Sequence, residues 1–230
     1  MKNLILLSAL FIGFYSCDEV DDPFVQKEGN VDTSKCPEPT FPANTNTVRH
    51  ILIEDFTGHK CNNCPAAAYV IDTIMANRSY VHSIGVHPDV ASFNKPLTSG
   101  PKYLTDFRTQ EGINLFADYC PGEGLPSLMV NRSDTVLGNG KFRLNMFDVP
   151  ASVASFAGQA PKLNLQIITS FDPADRTICA WTETEVLSNI SGDYSLVISI
   201  TEDSIIDWQE YNGNGHPDYG TSPTDIQFYE

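Results

Sequence analysis

Ile51-Leu-Ile-Glu-Asp-Phe-Thr-Gly-His-Lys-Cys-Asn-Asn-Cys-Pro-Ala-Ala-Ala68 is the stretch whose reading decides the fold. A short apolar run rich in β-branched residues stops at Thr57-Gly58. Two cysteines, Cys61 and Cys64, follow in Cys-x-x-Cys spacing, and a helix-forming stretch begins behind them. The pattern predicts a buried strand over residues 48–56, a tight connection, and a helix over 64–77. Ala67, Val70, Ile71, Ile74 and Met75 fall at helical spacing there, and Pro65 is acceptable in a first turn. A dithiol so placed meets unpaired N–H groups and a partial positive charge, which stabilise a thiolate. Cys61 is expected on the exposed lip, with Cys64 one turn further in.

Outward from this junction, 80–86 reads as a second strand ended by His87-Pro88, and 90–102 reads as loop, with Pro96 and Gly100-Pro101. Residues 103–119 carry Leu104, Phe107, Ile113, Leu115 and Phe116, a helix interrupted near Gly112. Leu125-Pro126-Ser-Leu-Met-Val-Asn-Arg132 is a third strand opened by a proline. Thr135-Val-Leu leads to a fourth, and a helix is expected around 144–156. The resulting order is β-α-β-α-β-β-α. The last third alternates differently. Leu163-Asn-Leu-Gln-Ile-Ile-Thr, Thr177-Ile-Cys-Ala-Trp-Thr-Glu-Thr-Glu-Val-Leu187 and Tyr194-Ser-Leu-Val-Ile-Ser-Ile-Thr read as strands separated by turns, the signature of a β sandwich. Three or four strands are too few to close one, so either the tail after Asp207 adds strands or the chain stops inside the domain, and the end at Phe228-Tyr-Glu230 favours truncation.

A chain of 230 residues with 41% apolar content can bury a real core. Fourteen basic against 29 acidic residues give a net charge of −15, which argues against nucleic acid as a partner. Lys2 followed by the apolar run Leu4 to Tyr15 has the form of an export signal, and that run is shorter than the ~20 residues of a membrane span. Export places the cysteines in an oxidising compartment. Cys179 sits in an alternating strand and reads as a buried small hydrophobe, while Cys36 lies in a Pro-rich stretch read as linker. For Cys120 a bridge to Cys36 and a free thiol are equally open.

Several of these features resemble known families. Phe14-Tyr-Ser-Cys17 is similar to a bacterial lipoprotein signal, with cleavage before Cys17 and lipid on that cysteine. Cleavage near Ser16 with an ordinary Cys17 is the plainer alternative. Asp18-Glu-Val-Asp-Asp22 resembles the acidic signal that sends Bacteroidota lipoproteins to the outer leaflet of the outer membrane, and a plain tether would look the same. The β-α-β order with its dithiol resembles the thioredoxin fold. Asp55, six residues before Cys61, falls where that fold keeps a buried acid that assists proton transfer to the second cysteine. Pro126 falls where it places a cis-proline. Lys60 and Asn62-Asn63 depart from the usual thioredoxin residues, so no redox potential carries over.

Ile53-Glu-Asp-Phe-Thr-Gly-x-x-Cys-x-Asn-Cys-Pro-Ala-Ala, with the Leu-Pro-Ser…Val-Asn-Arg strand, also resembles the Bacteroidota family named after outer membrane protein 28, over about residues 48–208. That resemblance implies a lipid-anchored envelope protein. An α/β thioredoxin-like domain would be followed by a small all-β, immunoglobulin-like sandwich domain. The expected organisation is a signal peptide over 1–16, anchor and tether over 17–46, the thioredoxin-like domain over 47–160 and the β domain over 161–230.

The candidate site follows. Cys61 attacks, Cys64 resolves, Asp55 handles the proton and Pro126 lies beside them. His59, Lys60, His87 and Cys120 are auxiliary candidates, though each histidine is more readily a solvated loop residue. No cofactor and no metal are expected. Two functions stay open. The first is thiol–disulfide exchange with the thiols and disulfides of exported proteins. The second is a surface binding or adhesion lipoprotein for an unknown ligand, with Cys61–Cys64 a structural disulfide; Trp181, Tyr194, Trp208 or Tyr211 could serve its binding face, though strand aromatics are more often core.

Overall fold

A computed structural model describes residues 34–134, 142–192 and 194–213, and the backbone of Thr224–Tyr229. Cys17 and the signal segment lie outside the described residues, as does the strand expected at Thr135-Val-Leu. Of the described residues, 34–41 and Ile167–Thr182 form one compact unit, and 42–166 with those from Glu183 onward form the other.

The larger unit is built on a three-stranded sheet of order β2-β1-β3, with β1 (Ile51–Phe56) in the centre. β1 runs parallel to β2 (Val81–Val86), with Ile51 opposite Val81 and Phe56 opposite Val86. It runs antiparallel to β3 (Ser127–Val130), with Ile53 opposite Val130 and Phe56 opposite Ser127. The parallel pair needs a crossover, which is α1 (Cys64–Met75).

Period-two alternation divides the side chains of β1 between two faces. Ile51 and Ile53 join Ala67, Ile71 and Ile74 of α1, spaced i, i+4, i+7, in one core. Leu128, Val130 and the α4 (Val149–Phe156) residues Val149, Val153 and Phe156 complete it. Phe56 faces the other way, into a second cluster with Met129 and with Phe116 and Cys120 from α3 (Gln110–Tyr119) and its end. Glu54 is fully buried and takes a bidentate pair from Arg132, whose Nη2 is 2.7 Å from Oε1.

Several expected boundaries move, each for a local reason. The helix expected from Tyr103 begins only at Gln110, because Thr109 caps it, its hydroxyl accepting from Gly112 N–H at 3.0 Å. Gly112 stands inside that helix and does not interrupt it. A Cβ there would lie 3.0 Å from Val86 Cγ1, so the glycine permits close approach of helix and strand. The stretch read as loop contains a short helix, α2 (Ala91–Asn94). The helix expected from Leu144 starts at Val149, with a proline in its first turn; Leu144 instead bridges Leu128 through two backbone hydrogen bonds of 3.1 and 2.7 Å.

The last third departs most. β4 (Leu163–Asp172) and β5 (Thr177–Val186) form a two-stranded sheet, β4 running three residues past the alternating stretch and β5 close to the one expected. Residues 194–201 are not a strand, and Leu196, Val197, Ile198 and Ile200 are exposed. Alternation makes a segment competent to pair, but a strand needs a neighbour that takes its N–H groups. Downstream, β6 (Ile206–Tyr211) pairs antiparallel with β7 (Thr224–Tyr229). The division at residue 160 is therefore replaced by another. β6 belongs with the α/β body, to which it is hydrogen-bonded through residues 58–62.

In the smaller unit, Cys36 is bonded to Cys179, with Cα atoms 5.6 Å apart. The reading of Cys179 as an isolated hydrophobe, and of Cys36 as linker or partner of Cys120, is corrected by this bond. Burial and β-strand context alone do not distinguish a thiol from half of a disulfide. Lys35 pairs with Asp175 in the turn between β4 and β5. In the larger unit, residues after Phe41 also hold to the base of β4: Asn164 Nδ2 donates to the Asn46 carbonyl at 3.2 Å, and Gln166 Nε2 to that of Pro42 at 3.1 Å. From residue 34 onward the expected tether is thus tied down.

Candidate functional site: a covered disulfide at a helix start

β1 ends at Phe56, and the chain turns through Thr57-Gly58 before α1 starts at Cys64. The turn is tightly enclosed. Thr57 N–H donates to the Val86 carbonyl at 3.0 Å, and its own carbonyl accepts from Asn94 Nδ2 at 3.0 Å. A Cβ on Gly58 would lie 2.2 Å from Asn94 Oδ1, so only glycine fits beside this buried asparagine. Cys61 N–H then donates to the Gly58 carbonyl at 2.8 Å, and Cys64 N–H to the Cys61 carbonyl at 3.1 Å. These turns bring the Cα atoms of Cys61 and Cys64 to 5.5 Å, and the two sulfurs are bonded.

Asp55 follows Ile51 and Ile53 on the α1 side of the sheet, as its period-two position requires. Its buried carboxylate lines one pocket together with Thr57, Cys64, Pro65, Ala68, Ile71 and Gln209. The acid and the second cysteine are therefore neighbours of a shared cavity at the helix start. The Leu125–Pro126 peptide bond is cis, directly before β3, whose Ser127 is paired with Phe56 at the end of β1.

The auxiliary candidates fall less simply. His59 is no solvated loop residue. It is buried, its ring centroid 5.6 Å from those of Tyr103 and Phe107. His87 is also buried, 5.1 Å from the same Phe107 ring, so one aromatic side chain gathers both histidines. Tyr103 reaches this place from a backbone with φ of 60°, in the left-handed region. Lys60 is held outward: its N–H donates to Phe93 at 3.0 Å and its ammonium to the Lys95 carbonyl.

Cys120 is a free, fully buried thiol packed with Phe56, Phe116 and Met129. Burial in apolar surroundings pushes its thiol up to about 11. It is protonated and unreactive at neutral pH. The bridge between Cys36 and Cys120 does not form, because Cys36 is taken by Cys179.

The exposed lip expected for Cys61 is absent. Cys61 is 1% and Cys64 2% exposed. The cover is β6 and the residue that follows it. Glu210 N–H donates to the His59 carbonyl at 2.8 Å, and Asn212 N–H to that of Asn62 at 3.2 Å. Gln209 is buried, and its Nε2 reaches the carbonyls of Cys61 at 2.8 Å and Gly58 at 3.2 Å. Lys102 sits over the Trp208 ring, 4.1 Å from its centroid, and Tyr211 is buried. Trp208 and Tyr211, offered by the sequence as parts of a binding face, are thus committed to this cover.

Gln209 and Asn94 had no local signal, since an amide in a polar-looking stretch announces nothing. Gly58 did have one: a glycine closing a strand just before the dithiol marks close approach of another group.

Among the described residues, no cluster of three or more His, Cys, Asp or Glu side chains is gathered to hold a metal ion. Nor is any helix among them long and apolar enough to cross a membrane. No family model, curated protein or solved structure matches the chain.

Proposed function

We propose that this protein is a cell-envelope lipoprotein that exchanges disulfides with exported proteins through Cys61–Cys64, on a thioredoxin-like α/β domain. The observation that carries the reading is the shared pocket of Asp55 and Cys64 at the start of α1. A structural bridge has no use for a buried acid lining the same pocket as one of its cysteines, whereas a couple that cycles needs a proton carrier near it. The cis bond at Pro126, the α1 crossover and the export signal support the same reading. Cys17 is the proposed lipid attachment point and the outer membrane the proposed address.

The step balances as follows. One thiol of a substrate dithiol loses its proton, and the thiolate attacks Cys61 Sγ. The Cys61–Cys64 bond breaks, and Cys64 leaves as a thiolate that takes up a proton through Asp55. The second substrate thiol, deprotonated in turn, attacks the substrate sulfur of the mixed disulfide, and Cys61 leaves as a thiolate that takes up this second proton. The substrate gains a disulfide, and the protein gains two electrons and two protons. Charge from the first turn of α1 favours the departing thiolates. Run backward, the same steps reduce a substrate disulfide.

Cys64→Ala leaves Cys61 without its resolving partner, so mixed disulfides between Cys61 and exported proteins should accumulate. They would be visible as reducible high-mass bands. The Cys61–Cys64 couple should equilibrate with glutathione, lying above the roughly −300 mV below which structural disulfides fall. No trapped species, together with a couple that glutathione never reduces, would overturn the reading. The observation favouring the alternative, a binding lipoprotein with a structural disulfide, is the burial of both cysteines.

A further inference from the structure

We propose that the dithiol loop is a docking edge for an extended polypeptide strand, and that residues 206–212 occupy it as an internal surrogate. The inference rests on the exchange reading and names its substrate class: extended, cysteine-bearing segments of unfolded chains, bound main chain to main chain.

The pattern of donors is what points there. Glu210 and Asn212 are two residues apart, the spacing at which a β-strand turns its N–H groups to the same side. Both donate to the loop, at His59 and Asn62. Between and beside those acceptors, the carbonyls of Gly58 and Cys61 take the Gln209 amide. Four carbonyls within five residues around Cys61 are thus supplied by one strand. Two of the four bonds come from backbone N–H groups, which any extended chain can replace. That is strand addition, in which main-chain bonds give affinity without demanding a sequence.

The same contacts explain the hidden sulfurs. With β6 in place Cys61 is 1% exposed, and a thiolate has no approach to its sulfur. A substrate that adds as a strand solves both problems at once. It satisfies the carbonyls that β6 gives up and delivers its own cysteine to the place β6 vacates. A strand without a cysteine, such as Ile206–Tyr211 itself, binds but cannot react. Gln209 makes the intramolecular competitor specific, and the Lys102–Trp208 contact holds its flank.

The test is the rate at which dithiothreitol reduces Cys61–Cys64 in the full chain, read by alkylation and peptide mapping so that Cys36–Cys179 is scored separately. Gln209→Ala, which removes two bonds to the loop, should raise that rate about tenfold or more. Trp208→Ala touches no loop carbonyl and should raise it by a smaller factor. It supplies the reading if the Gln209 variant does not fold. A peptide with the sequence of residues 206–212 should slow reduction of either variant, as should a scrambled one, whereas the same peptide N-methylated at the positions of Glu210 and Asn212 should not.

Reduction of the unaltered protein as fast as of both variants would overturn the docking edge, as would a peptide with no effect. The two readings fail separately. Strong dependence on β6 with a couple outside the glutathione range sinks exchange alone. A couple within that range whose access ignores β6 sinks the docking edge alone.

Discussion

The Cys61–Cys64 and Cys36–Cys179 disulfides have nearly the same Cα separation, 5.5 and 5.6 Å, yet their sequence separations are 3 and 143 residues. Chain-entropy reasoning assigns a closed loop of that larger size about 5 kcal/mol of unfolded-state restriction, and the small loop only about 1.5 kcal/mol. The long bridge ties residues 34–41 to the β4–β5 turn region, a small unit with little core of its own. The short bridge lies in a body already held by two apolar clusters. Stability accounts for the first disulfide and hardly for the second. A bond that adds little stability, placed beside a buried carboxylate, is better explained by its chemistry.

Removing the long bridge is the most severe challenge to this contrast. Cys179→Ser should lower the unfolding free energy by about 2–5 kcal/mol in chemical denaturation, and Cys61→Ser by much less. Equal losses from the two variants would erase the distinction.

Gly58→Ala probes the short bridge through its packing. The added Cβ would meet Asn94 Oδ1 at 2.2 Å, and the Asn94 side chain is pinned by bonds to Thr57 and Pro88 of 3.0 and 2.6 Å. A cost of about 1–3 kcal/mol is expected, with faster reduction of Cys61–Cys64 and unchanged reduction of Cys36–Cys179. In an Asn94→Ala background the added cost should shrink, because the clash partner is gone.

The fifth cysteine of this set contributes no pH dependence near neutrality and shows one only in alkali. Burial raises the Cys120 thiol from about 9 to about 11 in the folded state. Stability from the buried neutral thiol is complete below pH 9 and is lost as pH rises through about 11, where the unfolded chain has already released its proton. Cys120→Ala should flatten that part of the stability profile, while the two disulfides report no change.

Much of the α/β body was legible because its signals are local. The alternation of Ile51, Ile53 and Asp55 places the acid on the helix side, and i, i+4, i+7 spacing places Ala67, Ile71 and Ile74 against it. The helix start at Gln110 was legible in principle, through Thr109 as cap. It was obscured by Leu104 and Phe107, apolar residues at helical spacing; Phe107 instead packs against the two histidines. The strand expected at 194–201 shows the reverse error. Its alternation is real, but pairing needs a second segment that no window of sequence contains.

What the sequence determined by itself is the dithiol at a strand-to-helix junction, with Asp55 set back by an even step on the same strand and Pro126 opening the third strand. Periodicity and turn chemistry act over a few residues, so they can be read from a few residues. Only the tertiary structure decided that Cys36 pairs with Cys179, and that Gln209, Glu210 and Asn212 close over Cys61. Those contacts cross about 140 to 150 positions of chain. They depend on which polar groups and thiols the folded core brings face to face, because buried polar groups are costly to leave unpaired. Local chemistry placed the thiols; long-range hydrogen bonding decided that they are covered.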